Sequence, residues 1–175
     1  MAMLPYIIEI DGRILLWIQD FLRFDWLNPI VLSITKLGDA GTVWIVLTAL
    51  LLLWKKYRKT GGAMATALLL GYLATNLLLK NLVMRPRPFD AIPQLEALVH
   101  AGGWSFPSGH STSSMAASIV MFRQLPRRVG IPALALGILI CLSRLYVGVH
   151  YPTDVLCGAL IGIVAGLCAI QLQRK

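Results

Sequence analysis

"TDVLCGALIGIVAGLCAIQL", residues 153–172, decides the fold class. One aspartate stands near its start, and no charged residue follows it to Leu172. A helix of ~20 residues at ~1.5 Å per residue spans the ~30 Å hydrocarbon core of a bilayer. Three more runs have the same character: "GTVWIVLTALLLLW" (41–54), "GGAMATALLLGYLATNLLLKNLV" (61–83) and "IPALALGILICLSRLYV" (131–147). A fifth, "SGHSTSSMAASIVMFRQL" (108–125), starts more polar but is long enough to cross with tilt. The composition agrees: of 175 residues, 57% are hydrophobic and 14% charged, where a soluble domain carries about 25% charged. The expected fold is all-α, a polytopic membrane helical bundle with five transmembrane helices in a core of residues 41–175.

Residues 1–40 form a separate N-terminal segment. In "YIIEIDGRILLWIQDFLRFDW" (6–26), Ile7, Ile10, Ile14, Trp17, Ile18, Phe21 and Leu22 recur at a helical period, interrupted by Glu9, Arg13, Asp20 and Arg23. That pattern suits an amphipathic helix lying in the membrane interface, with a sixth spanning helix as the rival. "NPIVLSITKLGD" (28–39) reads as a short helix or re-entrant turn before the first span. No secretory signal is expected, since no basic start precedes a short apolar core and a small-residue cleavage site. Cys141, Cys157 and Cys168 lie inside apolar runs without metal-ligand spacing and read as small hydrophobes.

The net charge of +8 is distributed by side. With five spans from residue 41, one side holds Lys55, Lys56, Arg58, Lys59, Arg123, Arg127, Arg128, Arg174 and Lys175. The other holds every acid: Glu9, Asp11, Asp20, Asp25, Asp39, Asp90, Glu96 and Asp154. Basic loops collect on the cytoplasmic face, so the acidic side is expected to face the periplasm or exterior of a bacterial inner membrane. The basic residues thus read as topology determinants and not as a nucleic-acid patch.

The unusual polar residues gather at that outer edge. Lys80 closes one span, with Arg85 and Arg87 after it; Ser108, Gly109 and His110 open the next. Ser143 and Arg144 end a third, and His150 and Asp154 flank the start of the last. Ionisable groups within a membrane are costly and mark function. Lys80, Arg87 and Arg144 are fixed cations, and arginine's fork suits phosphate oxygens. Ser108 and Gly109 sit at an expected helix N-terminus, where free N–H groups favour an anion. His150 and Asp154, four apart, share a helical face, so the carboxylate can fix the imidazole tautomer and free the other nitrogen for attack. His110, from another helix, could donate a proton to a leaving oxygen. Two histidines and an aspartate could also bind a metal, but the three cations would repel it, and no metal or other cofactor is expected. His100 reads as an ordinary loop residue.

These residues resemble a known pattern. "KNLVMRPRP" (80–88), "PSGH" (107–110) and "SRLYVGVHYPTD" (143–154) resemble, in order and spacing, the three signature motifs of the type-2 phosphatidic acid phosphatase superfamily. The resemblance implies a metal-independent membrane phosphatase with a helical core. It implies that His150 is the nucleophile, forming a phosphohistidine, that Asp154 orients it, and that His110 is the acid. Lys80, Arg87, Ser108, Gly109 and Arg144 would bind the phosphoryl group. Arg85 is not a motif position and reads as a supporting or a headgroup contact. The substrate stays open among undecaprenyl diphosphate, phosphatidylglycerol phosphate, phosphatidic acid or diacylglycerol diphosphate, and lipid A 1-phosphate. The short loop 89–106 suits a small polar head on a long tail, and the compact, outward-facing chain resembles the lipid-carrier recycling members of the family, which favours undecaprenyl diphosphate. A transporter using the same cations is the alternative of another class. The oligomeric state is not legible.

Overall fold

The computed structural model describes residues 3–173, and all regular structure among them is helical. The elements are α1 (Met3–Leu22), α2 (Asn28–Leu37), α3 (Thr42–Leu53), α4 (Arg58–Tyr72), α5 (Lys80–Val83), α6 (Pro88–Ala91), α7 (Gly109–Gln124), α8 (Arg127–Tyr146) and α9 (Pro152–Leu172). A π-helical stretch, Leu73–Leu79, joins α4 to α5. Arg174 and Lys175 of the basic side lie outside the described residues.

Among the described residues, three helical runs are long and apolar enough to cross a membrane: Lys55–Ala91, Arg127–Tyr146 and Pro152–Leu172. A fourth forms if Asn28–Leu37 and Asp39–Leu53, bent by 45°, are one span. The expected span over 41–54 therefore needs α2. Alone, the 12 residues of α3 reach only about 18 Å at the helical rise. The bend is made by Ala40 (φ 52°) and Gly41 (φ 70°), and glycine enters that left-handed region without steric cost.

The expected span over 108–125 becomes α7, whose 16 residues reach about 24 Å. α7 is the central post, packed against α4, α8 and α9. Ser111, Thr112, Ser114, Ala116, Ala117 and Ser118 are buried along it. A helix enclosed by protein need not present an apolar surface, because its neighbours can satisfy polar groups. Trp44 Nε1 donates to Ser114 Oγ at 2.9 Å, and the Thr75 and Thr112 hydroxyls bond at 2.9 Å. The closest packing is on α9. A Cβ at Gly162 would stand 2.4 Å from the Thr112 carbonyl oxygen, and one at Gly158 would stand 2.5 Å from that of Ser108. Small residues at this spacing let helix backbones approach closely in a membrane.

α1 is a helix as expected, but its protein-facing side is not the most apolar one. Asp11, Leu15 and Ile18 are buried, while Ile10, Ile14, Trp17, Phe21 and Leu22 are exposed. Lipid tails are as apolar as leucine, so the greasiest face loses nothing by facing lipid, and the polar residue turns to the protein. Leu15 packs with Leu95 and Tyr151. Asp11 bonds the start of α9 at Thr153, and Arg23, just past α1, bonds the end of α8 at the Tyr146 carbonyl. The middle of α1 and the residue just past its C-terminal end therefore touch the same end of the bundle.

Candidate active site

That end of the bundle carries the motif residues. The helices run antiparallel in turn, so the end of the α4–α5 run, the start of α7, the end of α8 and the start of α9 meet there. They enclose a cavity of about 670 Å³ whose wall includes Lys80, Arg87, Gly109, His110, Arg144 and His150. The π-helical stretch delivers Lys80 to this wall with Asn76 beside it. Wider i→i+5 turns of this kind are rare and frequently found at functional sites. His100, expected to be an ordinary loop residue, also borders the cavity.

Two of the expected site residues stand behind the wall. Ser108 is fully buried as the N-cap of α7, where its hydroxyl accepts from the Ser111 N–H at 3.4 Å. Its own N–H bonds the Asp154 carbonyl at 3.1 Å, which ties the start of α7 to the start of α9. Asp154 is also fully buried.

The geometry fixes the tautomer of His150. Arg87 Nη1 lies 3.0 Å from His150 Nε2. Arginine only donates, so Nε2 accepts and the neutral ring carries its proton on Nδ1. Nδ1 faces Asp154 Oδ2 at 3.5 Å, close enough for Coulombic attraction but long for a hydrogen bond, and Nδ1 has no other partner. Burial holds the His150 imidazole well below its ordinary pKa; the Asp154 carboxylate opposes this, and Arg87 and Arg144 add to it. His150 is thus neutral at pH 7, with its Nε2 lone pair directed at a guanidinium on the cavity wall.

Arg87 is held by the Gly102, Gly103 and Val149 carbonyls at 2.8, 3.0 and 2.9 Å. Asp154 is held by the Tyr151 N–H at 2.9 Å, the Ser105 hydroxyl and Arg85 at 2.8 Å. His110 Nε2 meets Asp39 Oδ1 at 2.9 Å. Arg144 donates to the Thr35 hydroxyl. Among the described residues, no group of three or more histidine, cysteine, aspartate or glutamate side chains is placed to hold a metal ion.

Four of these partners do not stand out as site residues in the sequence: Asp11, Thr35, Asp39 and Ser105. Asp11 does leave a signal. It sits outside the Glu9–Arg13–Asp20–Arg23 face, on the stripe that continues to Leu15 and Ile18. A lone carboxylate on a buried stripe calls for a buried partner.

Residues 60–175 match the PAP2 superfamily. The chain is 29% identical over 148 residues to the undecaprenyl-diphosphatase of Sulfolobus acidocaldarius, covering 84% of this chain and 71% of that one. It is 41% identical over 95 residues to the undecaprenyl-diphosphatase BcrC of Bacillus subtilis, covering 54% and 48%. In structure it resembles a transmembrane PAP2-type phosphatidylglycerolphosphate phosphatase from Bacillus subtilis. The TM-score there is 0.78 at 27% identity, over 95% of this chain and 86% of that one. The chain belongs to the PAP2 superfamily. It is an integral membrane protein and a lipid phosphate phosphatase.

Proposed function

We propose that this phosphatase works through a phosphohistidine on His150 and that its substrate is a polyprenyl diphosphate of the undecaprenyl class. The observation that carries the mechanism is the Arg87 guanidinium on His150 Nε2, in a cavity walled by Lys80, Arg144 and His110. Donors that can bind a phosphoryl group stand where the nucleophilic lone pair points. An incoming phosphoryl group takes over Arg87, with Lys80, Arg144 and the first-turn N–H groups of α7 around its oxygens. Ser108 contributes by fixing that first turn and the Gly109 backbone.

Nε2 then attacks phosphorus, the N–P bond forms and the P–O bond to the leaving group breaks. His110 gives its proton to the leaving oxygen. The phosphorylated ring keeps its Nδ1 proton and is positive, which the Asp154 carboxylate stabilises. In the second half a water attacks phosphorus, the N–P bond breaks, and His110 takes the water's proton. The cations act on charge that grows on the transferring oxygens, and one donor of this kind typically contributes about 10²–10³ in turnover.

Five crossings best fit the chain: the bent α2–α3 pair, α4 with its π-helical continuation, α7, α8 and α9. α1 lies across the site end, in keeping with its contacts to the end of α8 and the start of α9. The basic run at 55–59, Arg123 and Arg127–Arg128 fall at the opposite end, so the site faces the periplasm or exterior and the basic loops face the cytoplasm. The polyprenyl reading is supported by the two relatives named undecaprenyl-diphosphatase and by the short loop 89–106. Similarity to the phosphatidylglycerolphosphate phosphatase favours a second reading, a glycerolipid monophosphate. Phosphate release from both lipid classes in detergent decides. Higher kcat/KM on undecaprenyl diphosphate supports the first, and cleavage of only the glycerolipid monophosphate overturns it.

A further inference from the structure

Arg85 is the one cation of the first motif region that does not border the cavity. Its Nη1 bonds Asp154 Oδ1 at 2.8 Å and Thr153 Oγ1 at 2.7 Å, and its Nη2 bonds Asp11 Oδ2 at 2.7 Å. Its Cζ stacks 3.7 Å over the Tyr151 ring. Asp11, on α1, also accepts from the Thr153 N–H at 3.2 Å and from the Thr153 hydroxyl. Asp11 is 2% exposed and Asp154 is fully buried. One guanidinium thus joins two buried carboxylates, one facing the nucleophile and one from a helix outside the matched region 60–175.

The charge count matters to His150. Asp154 must present negative charge to Nδ1 when the ring becomes positive. Arg85 alone would cancel that charge. With Asp11 on its other nitrogen, Arg85 is already neutralised, and the three groups together carry a net single negative charge beside the nucleophile. The guanidinium fixes geometry as well, because its planar fork holds both carboxylates at once.

We propose that Asp11 and Arg85 are positioning residues of the reaction, which together set the orientation and the net charge of the Asp154–His150 pair. The N-terminal helix is then part of the catalytic apparatus and more than an anchor. The inference rests on the reading of His150 as nucleophile.

The test compares Asp11→Asn, Arg85→Gln, the Asp11→Asn/Arg85→Gln double variant and His150→Ala, all in the full chain in detergent. Phosphate release from undecaprenyl diphosphate and phosphatidate is measured, with melting midpoints alongside. Removing a group that orients a metal ligand commonly costs about 10–100-fold in affinity or activity, and a group that orients a nucleophile is expected to matter to the same order. Asp11→Asn should lower kcat by that factor and leave KM within about twofold, since Asp11 does not border the cavity. The double variant restores the single negative charge with an amide pair, so it should turn over faster than either single variant, whatever its melting midpoint. A clasp that only docks α1 predicts the opposite, with the two losses compounding. Asp11→Asn within twofold of the parent kcat, or a double variant no faster than the singles, overturns the inference. If Asp11→Asn does not purify, Arg85→Gln against the double variant makes the same distinction. His150→Ala separates the two claims: retained turnover there sinks the nucleophile reading itself, and an inactive His150→Ala beside a normal Asp11→Asn sinks only the bridge.

Discussion

Replacing Asp39 by Asn tests whether His110 is the acid. Asp39 Oδ1 lies 2.9 Å from His110 Nε2, and Asp39 is the only acidic residue among the described residues lining the cavity, where Lys80, Arg87 and Arg144 are cations. An acid must hold its proton until the leaving oxygen takes it, and three cations disfavour a protonated imidazole. Asp39 is the group that favours it. Two unit charges about 4 Å apart interact by ~4 kcal/mol at an effective dielectric of ~20 and ~1 kcal/mol in water. The Asp39 side chain is 62% exposed and His110 19%, so solvent screening brings the value to about 1–2 kcal/mol. At ~1.4 kcal/mol per factor of ten, that is about 5–30-fold in rate. The loss should depend on the leaving group. A phosphatidate leaves as an alkoxide and needs the proton, whereas an aryl phosphate such as p-nitrophenyl phosphate leaves readily without it. Asp39→Asn should therefore lose about 5–30-fold in kcat on phosphatidate and less than about twofold on the aryl ester, in the same detergent. Equal losses on both would refute the assignment of the proton to His110, since a general disturbance of the site spares neither substrate.

Packing and titration give two more. Gly162→Leu places a side chain against the Thr112 carbonyl, 2.4 Å from where its Cβ must stand, and should destabilise by about 1–3 kcal/mol or more, read as a lower melting midpoint in detergent; an unchanged midpoint would contradict the α7–α9 contact. His150 is neutral and buried in the fold, with its pKa held below the ordinary value of about 6.5, so the unfolded chain takes up a proton first as pH falls. Stability from this group is complete above about pH 6.5 and is lost on acidification toward the folded pKa, and His150→Gln should remove that part of the slope on a melting-midpoint profile from pH 7.5 to 5.

The motif residues on the wall are legible in the sequence because they sit at or near the ends of apolar runs. Lys80, His110 and Arg144 are fixed in depth by the helices that carry them, and His150 by the short connection between α8 and α9; helix ends are what an apolar run marks well. Their partners are not legible. Asp39 reaches His110 across 71 positions, Thr35 reaches Arg144 across 109, and Asp11 reaches Thr153 across 142. Local periodicity holds no information on such distances. α1 shows a different limit. Its helical period is plain, but an apolar stripe in a membrane protein does not say whether lipid or protein lies against it. The bend at Ala40–Gly41 is half visible, as a short helix before the first span. The need for α2 to complete that crossing comes only from the length of α3.

The mechanism turns on a covalent phosphate on His150. The full-length protein, mixed with lipid diphosphate labelled in its terminal phosphate and quenched within a turnover, should carry label that is stable to alkali and lost in acid, as a phosphorus–nitrogen bond requires. His150→Ala should carry none and release no phosphate, while His110→Ala should still trap label because its attacking nitrogen is intact. Phosphate release by His150→Ala, or label that survives in it, would rule out His150 as the nucleophile.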